Sequence, residues 1–332
     1  MAKKYFEKAV KYKLSYFEYL TTLAFIYFTG QKVDIAIIET GVGGRFDATN
    51  IIKNSLVCII TSIAKDHQEI LGNTIKDIAF EKAGIIKKDA YVVCGRLSQA
   101  AISVIKDKTR NPYVYGTDFK TLNNTASIYG QQFDYISKNI KLNNIELKLL
   151  GKHQVVNASV AVCAIELLNN NGYRLNETCI RMGLKNTIFP GRFDIRKVCT
   201  GDKNFKLIID GAHNIQGFDV FLETFRQLGF SKKKVTFIFA IMKEKKYKYV
   251  IRKIVPFVKK VILPKVNNDR AISPDVLEAE FLKHIVQNKI YTADSVEKAL
   301  SMMDNGETSV CIGSLYLAGE VLTVIYNKSR YN

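Results

Sequence analysis

A few short stretches hold most of the side chains in this chain that could do acid–base, phosphate or metal chemistry. In VDIAIIETGVGGRFDATN, residues 33–50, an apolar run ends at Glu39 and passes into a glycine-rich turn at Gly41, Gly43 and Gly44. Ligands of open parallel sheets gather beyond the carboxyl ends of strands, and glycine lets backbone approach them closely. A carboxylate at such an end suits a hard cation such as Mg2+. An ordinary strand-terminal acid before a turn accounts for the same residues equally well. Leu56 to Ser62 leads into Lys65-Asp66-His67, a second polar cluster at a parallel strand end, which raises His67 from a surface histidine to a candidate ligand.

Glu81-Lys82-Ala83-Gly84-Ile85 places a lysine at a helix end. There it usually serves only the helix dipole, but near a metal its amine would be depressed in pKa and open to modification. Gly151-Lys152-His153-Gln154 and Asn157 open a helix, where an asparagine normally caps backbone donors. Pro190-Gly191-Arg192 is a rigid turn presenting one arginine, whose planar fork matches phosphate. LIIDGAHN, residues 207–214, runs a strand into a turn and sets Asp210 and His213 at a carboxyl edge. Of the histidines at 67, 153, 213 and 284, three fall in these clusters, which favours a shared site.

The elements that must position them alternate short β-branched runs with helix-compatible segments, the pattern of parallel βαβ units and an α/β fold. Strands are expected at Val33 to Glu39, Leu56 to Ser62 and Ala90 to Cys94, with helices at Tyr16 to Thr29 and Ile75 to Ala83. The polar stretch from Asp118 to Glu146 reads as an antiparallel meander, followed by a helix from Val155 to Asn169. Further strands are expected at Phe205 to Ile209, Val235 to Ile241, Lys260 to Pro264, Lys289 to Tyr291 and Thr308 to Ile312. Helices from Gly217, Tyr247, Pro274 and Ser295 fall between them. The polar CTGDKN near Cys199 to Lys206 suggests a boundary between domains of residues 1–200 and 201–332.

Composition narrows the class. With 47% hydrophobic and 24% charged residues the chain reads as globular, not disordered. No apolar stretch is long enough to span a bilayer, and the start lacks a cleavable apolar leader, so a cytoplasmic protein without a membrane partner is expected. The net charge of +18 is spread over scattered lysines with no nucleic-acid module signature; the expected partners are small molecules. Cysteines 58, 94, 163, 179, 199 and 311 mostly sit in apolar runs, without metal-site spacing, and read as reduced.

Taken in order, ETGVGGRFDATN, TSIAKDH, EKAGI, GKHQVVNA, FPGRFD, DGAHN and GSLYLAGEV resemble the folylpolyglutamate synthase/dihydrofolate synthase family of the Mur ligase superfamily. The resemblance covers nearly the whole chain. It implies a Mur-type central ATPase domain and a Rossmann-like glutamate-ligase domain. It also implies ATP-dependent joining of L-glutamate to a folate or dihydropteroate carboxylate through an acyl phosphate. By resemblance, Glu39 and His67 would be Mg2+ ligands and Lys82 a carbamylated lysine helping to hold a second metal. Phe46, Asp47 and Ala48 would lie against the pterin-bearing substrate, and Asn157, Arg192 and Asp210 would contact ATP. His213 matches a motif position near the domain interface and is carried as a catalytic residue. The five residues Glu39, His67, Lys82, Arg192 and Asp210 would converge at one cleft that domain closure shields from water, and the protein would act as a monomer.

Some features depart from that family. No GxxxxGK[ST] phosphate loop is present, Ile215 stands where proline is usual, and IMKEKK replaces an acidic form. A missing first strand would leave a central sheet edge unpaired, so a shortened reading of a longer gene is the expectation. The competing readings are a catalytically impaired folate- or nucleotide-binding relic, and another Mur-type amide ligase acting on a cell-wall precursor.

Overall fold

In a computed structural model, which describes residues 2–200 and 202–330, the chain divides into two compact units, Met1–Lys120 with Ser159–Leu175, and Thr121–Ala158 with Asn176–Asn332. It opens with helices α1 (Ala2–Lys11) and α2 (Tyr16–Gln31). A reciprocal capping box starts α2: the Ser15 hydroxyl accepts from the Glu18 N–H, and the Glu18 carboxylate accepts from the Ser15 N–H. The helix is apolar all round, yet only Thr21 is buried among its residues. Such a helix ordinarily lies inside a protein.

Strand β1 (Val57–Ile60), helices α3 (Gln68–Leu71) and α4 (Ile75–Ala83), strand β2 (Tyr91–Cys94), helix α5 (Gln99–Lys106) and the short β3 (Tyr113–Val114) follow. The strands form a parallel sheet in the order β1-β2-β3. Cys58, Ile60, Val92 and Cys94 from the sheet bury with Ala83 and Ile105 from the helices. The expected strand from Val33 to Glu39 does not form. This segment has no ladder partner among the described residues, and Ile37 is 92% exposed. Apolar β-branched residues favour a strand only where a neighbouring strand takes up their backbone groups.

The meander is present as β4 (Phe119–Ser127), β5 (Gly130–Ser137) and β6 (Lys141–Leu147), with β5 and β6 antiparallel. Helix α6 (Lys152–Asn170) begins three residues earlier than the sequence suggests, and α7 (Glu177–Asn186) follows. Strands β7 (Asp194–Thr200) and β8 (Lys203–Asp210) then pair antiparallel, Thr200 facing Lys203. The expected boundary near Cys199 to Lys206 therefore falls inside a pair of antiparallel strands, Cys199 facing Asn204. Polar text serves a reversal of the chain as well as a linker.

After β8 come α8 (Ile215–Gln227), β9 (Val235–Phe239), α9 (Tyr247–Ile254), β10 (Val258–Pro264), α10 (Pro274–Phe281), β11 (Ile290–Ala293), α11 (Val296–Ser301), β12 (Thr308–Ile312) and α12 (Leu315–Arg330). The six-stranded sheet runs β11-β10-β9-β12-β8-β7, parallel except for edge strand β7. Alternate residues face opposite cores. Ile208, Phe237, Phe239, Val261, Leu263 and Val310 bury on one side, Leu207, Ile209, Ile238, Ile262 and Cys311 on the other. This is the doubly covered α/β sheet that the alternation anticipates, and its carboxyl edge carries Asp210. All six cysteines are free, with Cys179 and Cys199 exposed. No helix among the described residues is long and apolar enough to cross a membrane.

Candidate functional site

Two constellations emerge, one in each unit. In the first, the turn after Glu39 is fastened to the end of α4. The Arg45 N–H donates to the Glu81 carbonyl at 2.8 Å, and the Arg45 guanidinium pairs with the Glu81 carboxylate at 2.9 Å. A Cβ on Gly44 would stand 2.8 Å from the Glu81 carbonyl oxygen and 2.9 Å from that of Lys82. Glycine is required there by close backbone approach. Asn50 closes the turn by donating to the Arg45 carbonyl at 3.0 Å and the Gly84 carbonyl at 3.1 Å.

Phe46 projects from this turn 83% exposed, with the Arg45 guanidinium 4.3 Å from its ring centroid. Asp47 is occupied by the loop itself: it accepts from the N–H groups of Val42 and Thr49 and from the Thr49 hydroxyl. Burial raises its carboxyl pKa, but these bonds outweigh burial and hold it below the usual range. Asp47 thereby caps the single 3-10 turn that begins at Ala48. Lys82 lies in the last turn of α4, and burial lowers its amine pKa against the opposing charge of Asp66.

Glu39 is exposed on the unpaired segment, and His67, also exposed, sits in left-handed backbone at φ 50° with its N–H bonded to the Asp66 carboxylate. Among the described residues no three His, Cys, Asp or Glu side chains group as metal donors. Magnesium commonly takes only one or two carboxylates and completes its shell with phosphate and water, so its binding does not require such a group.

The second constellation lies at the carboxyl edge of β8. One Asp210 carboxylate oxygen accepts from the Phe193 N–H at 2.8 Å and the other from the Ala212 N–H at 2.7 Å. Burial pushes this carboxyl up to about 6, partly offset by those two donors and by Arg192. The bond to Phe193 fixes the Pro190-Gly191-Arg192 turn, as does a bond from the Gly211 N–H to the Gly191 carbonyl at 2.9 Å. Phe193 has a left-handed φ of 47°, unusual for an aromatic residue, and its ring is anchored against Phe221. Arg192 is thus delivered over the DGAHN turn, and a Cβ on Gly211 would reach within 3.2 Å of its Nη1.

His213 Nδ1 lies 2.9 Å from the Gly211 carbonyl. A carbonyl can only accept, so Nδ1 carries the proton and a neutral ring keeps its Nε2 lone pair. Burial first, and Arg192 second, lower the pKa of His153, whose Nδ1 is buried without a hydrogen-bond partner among the described residues. Asn157 lies inside α6 and donates to the Gln154 side chain at 3.3 Å, so it does not cap the helix start.

The structure thus gathers Arg192, Asp210 and His213 with His153 in the second unit, and Lys82 with the turn bearing Phe46, Asp47 and Ala48 in the first. Arg45 and Glu81 escaped assignment from sequence, although an arginine flanked by Gly44 and Phe46 in a tight turn is itself a signal.

The Mur ligase middle domain family matches residues 2–165, and the Mur ligase glutamate ligase domain family matches residues 191–315. The dihydrofolate synthase/folylpolyglutamate synthase of Bacillus subtilis (strain 168) is 31% identical over 318 residues, covering 92% of this chain and 71% of the relative. A Mycobacterium tuberculosis folylpolyglutamate synthase structure complexed with ADP superposes with a TM-score of 0.82 at 26% identity, covering 96% of this chain and 74% of that one. An E. coli FolC structure in complex with DHPP and ADP gives a TM-score of 0.79 at 25% identity, covering 95% and 72%.

Proposed function

Because the chain belongs to the dihydrofolate synthase/folylpolyglutamate synthase family of Mur ligases, we propose that it joins L-glutamate to the carboxylate of a folate or of dihydropteroate, converting ATP to ADP and phosphate. The observation that carries this reading is the Arg192 turn. Two backbone donors lock Asp210, and Asp210 in turn locks the loop that aims a guanidinium over a strand-edge turn. A fixed cation at a sheet's carboxyl edge is what a transferring phosphoryl group requires, since positioning and electrostatics supply most of that catalysis.

In this mechanism a substrate carboxylate oxygen attacks the γ-phosphorus and ADP departs, leaving an acyl phosphate. The glutamate amine then attacks the acyl carbon. Phosphate leaves from the tetrahedral intermediate, carrying away the carboxylate oxygen that had formed the P–O bond. Arg192 neutralises charge on the transferred phosphoryl group through its planar fork. Asp210 keeps Arg192 in place and, with Asn157, serves the nucleotide. The His213 Nε2 lone pair accepts the proton that the attacking amine must lose.

Phe46 offers the pterin an exposed aromatic face, while Asp47 and Ala48 shape the turn beneath it. The lowered amine pKa of Lys82 enlarges its neutral fraction, the form that adds carbon dioxide to give an anionic carbamate. Glu39 and His67 would hold one magnesium and that carbamate would help to hold a second metal; when bound, these ions supply positive charge to the phosphates.

Supplying dihydropteroate or tetrahydrofolate with glutamate and ATP, and following ADP release, tests the proposal. ADP release that depends on both the pterin substrate and glutamate is expected. Release with a cell-wall precursor instead, or none with any acceptor, would defeat the assignment.

A further inference from the structure

The turn carrying Phe46 is tied to α4 more heavily than a surface loop needs. Arg45 makes two connections to Glu81, one through its backbone N–H and one through its guanidinium. Gly84, just beyond the helix, is packed so closely against the Arg45 backbone that any Cβ would collide with it. Lys87 reaches back to the Asn50 side chain at 2.7 Å, so the turn is held from both of its ends. The Arg45 guanidinium also lies over two rings, 4.3 Å from the Phe46 centroid and 5.0 Å from that of Phe80, within α4. One side chain therefore touches an exposed aromatic platform and the residue immediately before Lys82.

We infer that Arg45 is a positioning residue that couples a flat heteroaromatic ring resting on Phe46 to the placement of Lys82. The inference rests on the reading of Phe46 and Lys82 given above. In the free protein the Arg45–Glu81 pair is partly open to water, and an exposed pair holds its geometry only loosely. A ring stacked on Phe46 removes water from one side of the guanidinium and strengthens its hold on the ring and on Glu81. The Glu81 and Lys82 carbonyls, already in contact with the turn, are then fixed together with it. The chain's own geometry would thus favour a competent Lys82 when the pterin-bearing substrate is present.

Steady-state kinetics on the full chain, comparing wild type with Glu81→Gln, Arg45→Met and the double variant, test this. Glu81→Gln leaves the platform and the backbone bond intact but removes the charge that pairs with the guanidinium. It should lower kcat about 10-fold while keeping the KM for the pterin substrate within about twofold, as loss of an orienting partner does. Arg45→Met should also raise that KM, and the double variant should lose no more kcat than the worse single variant, because both cut one link. An active wild type with unchanged kcat in Glu81→Gln, or with kcat losses that multiply in the double variant, overturns the coupling alone. So does a parallel rise in KM and fall in melting temperature in Glu81→Gln, the mark of a merely structural pair. A wild type that consumes neither pterin substrate nor glutamate overturns the proposed function and the coupling together.

Discussion

Replacing Gly44 with alanine probes the contact that joins the first constellation. The added Cβ would meet two backbone carbonyl oxygens, at 2.8 Å from Glu81 and 2.9 Å from Lys82, and the Ile85 Cγ2 at 2.9 Å. Carbonyls in a helix end cannot swing aside as a side-chain tip can, so the turn must lift from α4. Overpacking of this kind costs about 1–3 kcal/mol. Losing the Arg45 N–H bond to Glu81 adds about 0.5–1.5 kcal/mol, so roughly 1.5–4.5 kcal/mol of local stability is at stake. At about 1.4 kcal/mol per factor of ten, that means roughly 10- to 1,600-fold faster amide exchange across residues 41–50 and the end of α4. Hydrogen exchange read by mass spectrometry is the assay, with β9 as an internal reference that should not change. Gly30→Ala, in α2 where nothing lies within 4 Å of an added Cβ, is the control and should be neutral or mildly stabilising. Exchange in Gly44→Ala within threefold of wild type would refute the view that close backbone packing holds the turn.

Phe46→Ala should leave the melting temperature unchanged, since the ring is 83% exposed, and weaken binding of a pterin substrate about 10-fold by calorimetry, the worth of one aromatic stack. Asp210 should give nucleotide affinity an acid limb. Its carboxyl titrates at about 6, so affinity is full above that pH and falls as pH drops through it; Asp210→Asn should flatten the limb in a titration of ADP binding. For stability the sign is opposite. A carboxyl whose folded pKa is raised favours folding below its unfolded value, and that contribution is lost as pH rises through about 6. Ile37→Lys should change stability by less than about 0.5 kcal/mol in urea unfolding, because the side chain is 92% exposed and buries nothing.

Where local chemistry decides an element, the sequence already shows it. The Ile75 to Ala83 helix was legible to the residue, with Thr74 and Asp77 forming a reciprocal cap at its start and Gly84 following its end. The parallel strands of the six-stranded sheet were legible because burial on both faces leaves continuous apolar runs such as Val235–Phe239. Val33 to Glu39 has the same composition but is no strand, because pairing is a property of the neighbour and not of the run. The expected boundary near Cys199 to Lys206 lies where β7 and β8 pair, because polar residues do not reveal whether the chain turns back or moves on.

In the sites, the motif residues were visible but their partners were not. Asp47 looks like a ligand-facing acid in sequence, yet its oxygens are taken by Val42 and Thr49. Arg45 looks like turn filler, yet it bridges Phe46 and Glu81. The Asp47 bonds are local to the turn, whereas the Arg45–Glu81 pair spans some tens of residues and arises only from tertiary packing.

In the proposed reaction a pterin-bearing carboxylate is activated by phosphoryl transfer before glutamate attacks. Heavy-oxygen label placed in that carboxylate and followed by mass spectrometry after turnover with ATP and glutamate tests it directly. One labelled oxygen should appear in the inorganic phosphate for each amide formed. Labelled amide accompanied by phosphate carrying no label would contradict it.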